Sequence, residues 1–184
     1  MSSDIRTNRA EQASSAECPD EAGLFHAVIC TAVGRIHIEA GTDAIHRLYF
    51  CGDKPRTCSP SCAVLNEACA QTLAYTNGKL RVFDLPVKTW GTPFQQAVWR
   101  ELCAIPYGQT RTYGEVAEHL GNRNRARAVG GAANANPVAL IIPCHRMIGA
   151  KGALTGFAGG LAVKQALLDL EQRFNGGNAT ARLL

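Results

Sequence analysis

Ile36, Ile38 and Ala40 alternate with Arg35, His37 and Glu39, the two-residue period of a half-buried strand. Phe25 to Ala32 before it and Ala44 to Phe50 after it read as two more strands, with Gly34 and Gly41-Thr42-Asp43 as turns. A loop rich in Pro and Cys follows, Gly52 to Cys62. The period then lengthens to that of a helix. Ala63 to Tyr75 places Leu65, Cys69, Thr72 and Leu73 on or near one face, and Asn77-Gly78 ends it. Arg81 to Val87 reads as a further extended segment.

The second half is helical in pattern. Thr92-Pro93-Phe94-Gln95 combines a capping threonine, a first-turn proline and a glutamine placed to reach back as in a capping box. Phe94, Ala97, Val98 and Leu102 continue as one apolar face. Thr112-Tyr113-Gly114-Glu115 opens a second helix, which carries Val116, Ala117 and Leu120 and stops at Gly121. A third runs from about Arg125 to Ala135, before Asn136-Pro137. Val138 to Ile142 reads as a short apolar extended run. Gly159-Gly160 precedes a last helix with Val163, Ala166, Leu167 and Leu170 as its buried face. The pattern divides the chain into a polar leader (1–21), a small α/β domain (22–91), a mainly helical domain (92–173) and a tail (174–184).

Composition adds exclusions. No apolar run approaches the roughly 20 residues of a membrane span, and Met1 to Asp20 lacks the apolar core of a secretory signal. That places the eight cysteines in a reducing cytosol as free thiols. Cys51, Cys58, Cys62 and Cys69 match no common zinc spacing. The net charge of +4 permits nucleic-acid binding without arguing for it. Its distribution says more, because Arg123, Arg125 and Arg127 share one short stretch.

That stretch joins two short helices with helix-turn-helix proportions. The second reads Ala126-Arg127-Ala128-Val129-Gly130-Gly131-Ala132-Ala133 and has almost no long polar side chains for reading bases in a major groove. Small residues let a backbone approach another surface closely, which fits a narrow minor groove or a tightly packed core. Each Gly costs a helix about 1 kcal/mol relative to Ala, which argues for close contact. Cys144 follows Pro143 and precedes His145. A neighbouring base can generate the reactive thiolate. On a strand, however, Cys144 and His145 would point to opposite faces, so direct contact needs a bend or an intervening water.

Thr92 to Glu171 resembles the DNA-binding and active-site domain of the O6-alkylguanine-DNA alkyltransferases. The matching segments are Arg127-Ala128-Val129-Gly130-Gly131-Ala132, Asn136-Pro137, Ile142-Pro143-Cys144-His145-Arg146 and Gly159-Gly160-Leu161-Ala162-Val163-Lys164. Phe25 to Val87 is more loosely similar to the N-terminal domain of the same family. The resemblance implies an α+β protein: a ribonuclease-H-like α/β domain followed by a winged-helix-like, helix-turn-helix domain. It implies a monomer that binds double-stranded DNA containing O6-alkylguanine, with O4-alkylthymine as a further substrate, and uses no cofactor or metal.

The resemblance also implies residue roles. Cys144 accepts the alkyl group, once per molecule. His145 deprotonates it through a bound water and Glu171 orients His145. Asn136 braces the turns of the site, and Tyr113 hydrogen-bonds or protonates the leaving guanine. Arg127 fills the gap left in the duplex by a flipped nucleotide. Ala126, Gly130 and Ala133 lie along the DNA with it, and Arg125 contacts phosphate. Backbone groups near Met147 and Ala158 read the purine edge, and the region from Thr155 to Gly159, with Phe157 in it, walls the pocket. The chain departs from the family's pattern at Phe157, where many members carry Tyr, at Ala158, where some carry Ser, and at Ala133, where some carry a larger apolar residue. No N-terminal zinc pattern of the human type is evident. A regulator, a lesion-binding relative without transfer and a Cys-His-Glu hydrolase are the competing readings, and the stoichiometry of product separates them.

Overall fold

The computed structural model describes residues 23–52 and 61–175. The expected leader, most of the Pro- and Cys-rich loop with Cys58, and the tail from 176 onward lie outside them. Strands β1 (Phe25–Thr31), β2 (Gly34–Ala40) and β3 (Ile45–Phe50) form an antiparallel meander in the order β1-β2-β3. The alternation in β2 works as the period requires, with Ile36, Ile38 and Ala40 fully buried against helix α1 (Ala63–Thr76). His37 and Glu39 are buried too, on the other face, where the Tyr49 hydroxyl bonds to both. Helix α1 buries Leu65, Ala68, Thr72, Tyr75 and Thr76, while Leu73, expected on the buried face, is 37% exposed. The extended segment expected at Arg81 to Val87 makes only one isolated bridge, Ile45 to Val87.

Helix α2 (Pro93–Cys103) and helix α3 (Tyr113–His119) begin with the two capping boxes read from the sequence, Thr92 with Gln95 and Thr112 with Glu115. A 3-10 turn, Arg123–Arg125, leads into helix α4 (Ala126–Asn134). The Trp99 indole donates to Ala132 O at 2.9 Å and ties α2 to α4. Strand β4 (Arg111–Thr112) pairs in parallel with strand β5 (Met147–Ile148), and helix α5 (Leu161–Asn175) is the last element among the described residues. The molecule is thus mixed α/β, with two small sheets and five helices among the described residues. No helix among them is long and apolar enough to cross a membrane.

Two expectations are corrected around the Cys-His pair. Val138 to Ile142 is not a strand. It docks on the free edge of β3, where Leu48 N donates to Pro137 O (2.9 Å) and Ala139 N to Leu48 O (2.7 Å), then turns sharply at Leu140, whose φ of 71° is rare for a bulky residue. Cys144 to Arg146 is a 3-10 turn rather than extended chain, because Pro143 breaks the direction and Arg146 N bonds back to Pro143 O. The objection that neighbouring strand residues diverge therefore lapses, as the bend it called for is built in.

Candidate active site

Cys144 opens on a cavity of about 660 Å³. Tyr113 of α3, Ala126, Arg127, Gly130 and Ala133 of α4, Asn136, and Phe157, Ala158 and Gly159 of the loop before α5 line it with Cys144. Met147 and Arg125 are not in the lining. Met147 is fully buried in the β4-β5 ladder, and Arg125 is exposed at the start of α4, near the ring of Phe94. The cavity also has a wall that sequence reasoning missed: Arg47, Tyr49 and Phe50 of β3. Phe50 meets Phe157 edge-on, with ring centroids 5.7 Å apart. A Cβ at Gly159 would stand 2.8 Å from the Phe50 ring and 2.9 Å from that of Phe157, so only glycine permits this close approach.

Around the sulfur, Asn136 Nδ2 donates to Ile142 O at 2.8 Å and lies 3.2 Å from Cys144 Sγ, while Asn136 Oδ1 accepts from Val138 N. One amide thus joins the turn after α4 to the turn that carries the thiol. Burial pushes the Cys144 thiol above its ordinary value, opposed by the Asn136 hydrogen bond and the positive charge of Lys164. Burial pushes Lys164 down in turn, and Cys144 opposes it. Lys164 is fully buried, with Nζ donating to Thr155 O at 2.7 Å and lying 5.8 Å from the Tyr113 ring centre. The Tyr113 hydroxyl donates to the same loop, at Thr155 O (3.1 Å) and Gly156 O (3.3 Å). Lys164 ends the matching segment Gly159 to Lys164, and nothing in the sequence marks it as part of the site.

Behind the sulfur, His145 and Glu171 are both fully buried. Nε2 of His145 lies 2.7 Å from Glu171 Oε1. A carboxylate only accepts, so Nε2 carries the proton and Nδ1 is left as the basic nitrogen. No hydrogen bond reaches that buried Nδ1 from the described residues. Glu171 also accepts from Tyr75, from Arg146 Nε at both oxygens (3.1 and 3.0 Å) and from Gly108 N (2.8 Å). Arg146 NH1 donates to Ile105 O at 2.6 Å. Burial raises the Glu171 pKa, yet the hydrogen bonds from His145, Tyr75 and Arg146 outweigh it and hold the carboxyl at about 2. Burial lowers the His145 pKa, against the pull of Glu171, so the ring is a neutral base at neutral pH. The arrangement joins a thiol at a cavity to a buried, oriented imidazole.

Helix α5 explains how Lys164 and Glu171 come together. They sit seven residues apart on its buried side with Leu167 and Leu168 between them. The expected apolar face was displaced, since Val163, Ala166 and Leu170 are only partly buried. On α4, Arg127 is exposed and makes no hydrogen bond or ion pair with the described residues, and a Cβ at Gly131 would meet open space. The small residues there are not demanded by internal packing alone.

Residues 93–173 match the family model for 6-O-methylguanine DNA methyltransferase, DNA binding domain. The methylated-DNA–protein-cysteine methyltransferase of Methanosarcina barkeri is 44% identical over 154 residues, 81% of this chain and 98% of the relative. The enzyme of that name from Mycobacterium tuberculosis is 50% identical over 114 residues, 62% of this chain and 69% of the relative. The crystal structure of Mycobacterium tuberculosis OGT in complex with DNA superposes with a TM-score of 0.74 at 41% identity, covering 81% of this chain and 93% of that one.

Proposed function

The chain belongs to the 6-O-methylguanine DNA methyltransferase family, and on that footing we propose that it repairs duplex DNA by moving the alkyl group of O6-alkylguanine onto Cys144, once per molecule. The observation that carries the reading is the cavity-facing thiol of Cys144 backed by the buried His145–Glu171 pair.

The target oxygen sits on the pairing edge of guanine and is inaccessible in a stacked duplex, so the nucleotide is extruded into the cavity. Helices α3 and α4 bind the DNA, the small face of Ala126, Gly130 and Ala133 lying close to the groove and Arg125 meeting phosphate. Arg127 enters the stack in place of the extruded base. The Cys144 proton passes through a water to His145 Nδ1, and the developing thiolate is favoured by Asn136 and Lys164. Sulfur attacks the alkyl carbon in line. The S–C bond forms, the C–O bond breaks, and the electron pair stays on the guanine oxygen, while Tyr113 donates a hydrogen bond to the departing ring. The product is a thioether, a poor leaving group, and among the described residues no group is placed to regenerate the thiol. Phe157, Ala158 and Gly159, with backbone near Met147, hold the base. The same chemistry extends to O4-alkylthymine.

We assign the finer architecture in the same terms: a ribonuclease-H-like N-terminal domain over 22–91 and a winged-helix-like domain over 92–173. Among the described residues, Cys30, Cys51, Cys62, Cys103 and Cys144 are free thiols, as suits a reducing cytosol.

The test is the intact mass of the protein after incubation with duplex carrying O6-methylguanine, followed by peptide mapping. One methyl group per chain, on Cys144, is expected. Methyl on Cys103 or spread over several cysteines, no mass gain, or catalytic release of product would each overturn the reading.

A further inference from the structure

The relay contains one group from the N-terminal half of the chain. Tyr75 is the penultimate residue of α1, and its side chain is fully buried. Its ring stacks on Phe83 (centroids 5.0 Å apart) and meets Tyr107 edge-on (5.9 Å). Its hydroxyl donates to Glu171 Oε1 in a short hydrogen bond and lies 3.3 Å from His145 Nε2. Among the described residues before Pro93, no other side chain is hydrogen-bonded to either member of the pair.

Resting on the function proposed above, we infer that Tyr75 is a positioning residue for alkyl transfer: by sharing Glu171 Oε1 with His145 Nε2–H, it sets how strongly the carboxylate draws on the imidazole, and so how basic Nδ1 is. Glu171 Oε1 takes three donors, from Tyr75, His145 and Arg146, and Oε2 takes two, from Arg146 and Gly108. Each donor disperses the carboxylate charge and leaves less of it to stabilise an imidazolium. Arg146 and Gly108 belong to the same half as the reacting sulfur. Tyr75 does not, so packing of α1 against the second half tunes the base. The phenol stays protonated throughout, since burial and then the charge of Glu171 push its pKa far upward. The other charged or titratable groups around the pair are Arg146, Tyr107, Arg81, Lys164 and Cys144. The Tyr75→Phe substitution replaces none of them.

The experiment follows the single-turnover rate of Cys144 alkylation by free O6-benzylguanine, whose benzylic carbon is activated toward displacement, as a function of pH in the full chain. Tyr75→Phe keeps the ring contacts and deletes the donor. With the donor gone, Oε1 holds His145 Nε2–H more tightly, so Nδ1 becomes more basic and is taken by a proton, and thus lost as the base, at higher pH. The acid limb should move up by about half a unit, roughly a threefold rate loss there relative to the variant's own plateau. Tyr107→Phe, which deletes a neighbouring hydroxyl that has no hydrogen-bond partner among the described residues, should leave the limb in place. Site-specific 3-fluorotyrosine at Tyr75, equal in fold but a stronger donor, should move the limb down, and it tests the inference even if Tyr75→Phe folds poorly. Profiles that overlay the wild type after scaling, whatever happens to the plateau or the melting temperature, would overturn the role of Tyr75 while leaving the function intact. A wild-type protein that fails to alkylate Cys144 would overturn both.

Discussion

Asn136 Nδ2 lies 3.2 Å from Cys144 Sγ and 2.8 Å from Ile142 O, so one side-chain amide both supports the nucleophile and holds the turn that presents it. A hydrogen bond to a charged acceptor contributes about 1.5–3 kcal/mol. Asn136→Ala should therefore slow alkyl transfer roughly tenfold to a hundredfold at neutral pH. The check is a stopped-time assay of Cys144 alkylation alongside thermal melting. Full activity in a folded variant would remove Asn136 from the thiolate's support.

Lys164 acts on the same sulfur through charge. Its buried cation opposes the upward shift that burial gives the thiol. Lys164→Gln keeps a donor for Thr155 O but loses the charge, so the rate profile should move to higher pH. Iodoacetamide labelling of Cys144 against pH measures this without DNA. An unmoved labelling midpoint would contradict it.

Arg127 is exposed at the cavity mouth and unengaged by the described residues. If it holds the stack open, Arg127→Ala should slow reaction with saturating duplex at least about tenfold, a loss of about 1.4 kcal/mol in the transition state. Reaction with free O6-alkylguanine, which needs no extrusion, should be nearly unchanged. Equal rates at saturating duplex would reduce Arg127 to a backbone contact.

Cys144→Ala should retain duplex binding while losing transfer, because the proposed DNA surface is α3 and α4 rather than the thiol. Its affinity should fall with rising salt, as phosphate neutralisation requires. A gel-shift titration across salt concentrations tests both, and a folded variant that no longer binds would argue against the assignment.

Acid stability should report the buried carboxylate. Glu171 has its pKa lowered from 4.5 to about 2 in the folded chain. A depressed folded pKa contributes stability above the unfolded value, and that contribution is lost as pH falls through the folded one. Glu171→Gln should therefore flatten the decline in melting temperature between about pH 4.5 and 2. An identical slope in the variant would show that other carboxyls dominate that limb.

The parts of the fold legible in the sequence are those whose forces act over a few residues. The Thr92–Gln95 and Thr112–Glu115 capping boxes close within one helical turn, and both form as read. The β2 alternation is equally local, as is the small-residue face of α4. The Pro143-Cys144-His145-Arg146 segment marked the centre of the site, while the bend it makes was open to two readings. Tertiary structure decided the rest, because the partners lie far apart along the chain. Val138 to Ile142 is apolar enough for a strand, but the free edge of β3 captures its first residues and Leu140 then turns away. Lys164 and Glu171 look like solvated helix positions. They are buried because Thr155, Tyr75, His145, Arg146 and Gly108 satisfy them, and a periodicity that counts only apolar residues cannot register such partners. Tyr75 stands 96 residues from Glu171, and only the packing of α1 against the second half brings its hydroxyl to the carboxylate.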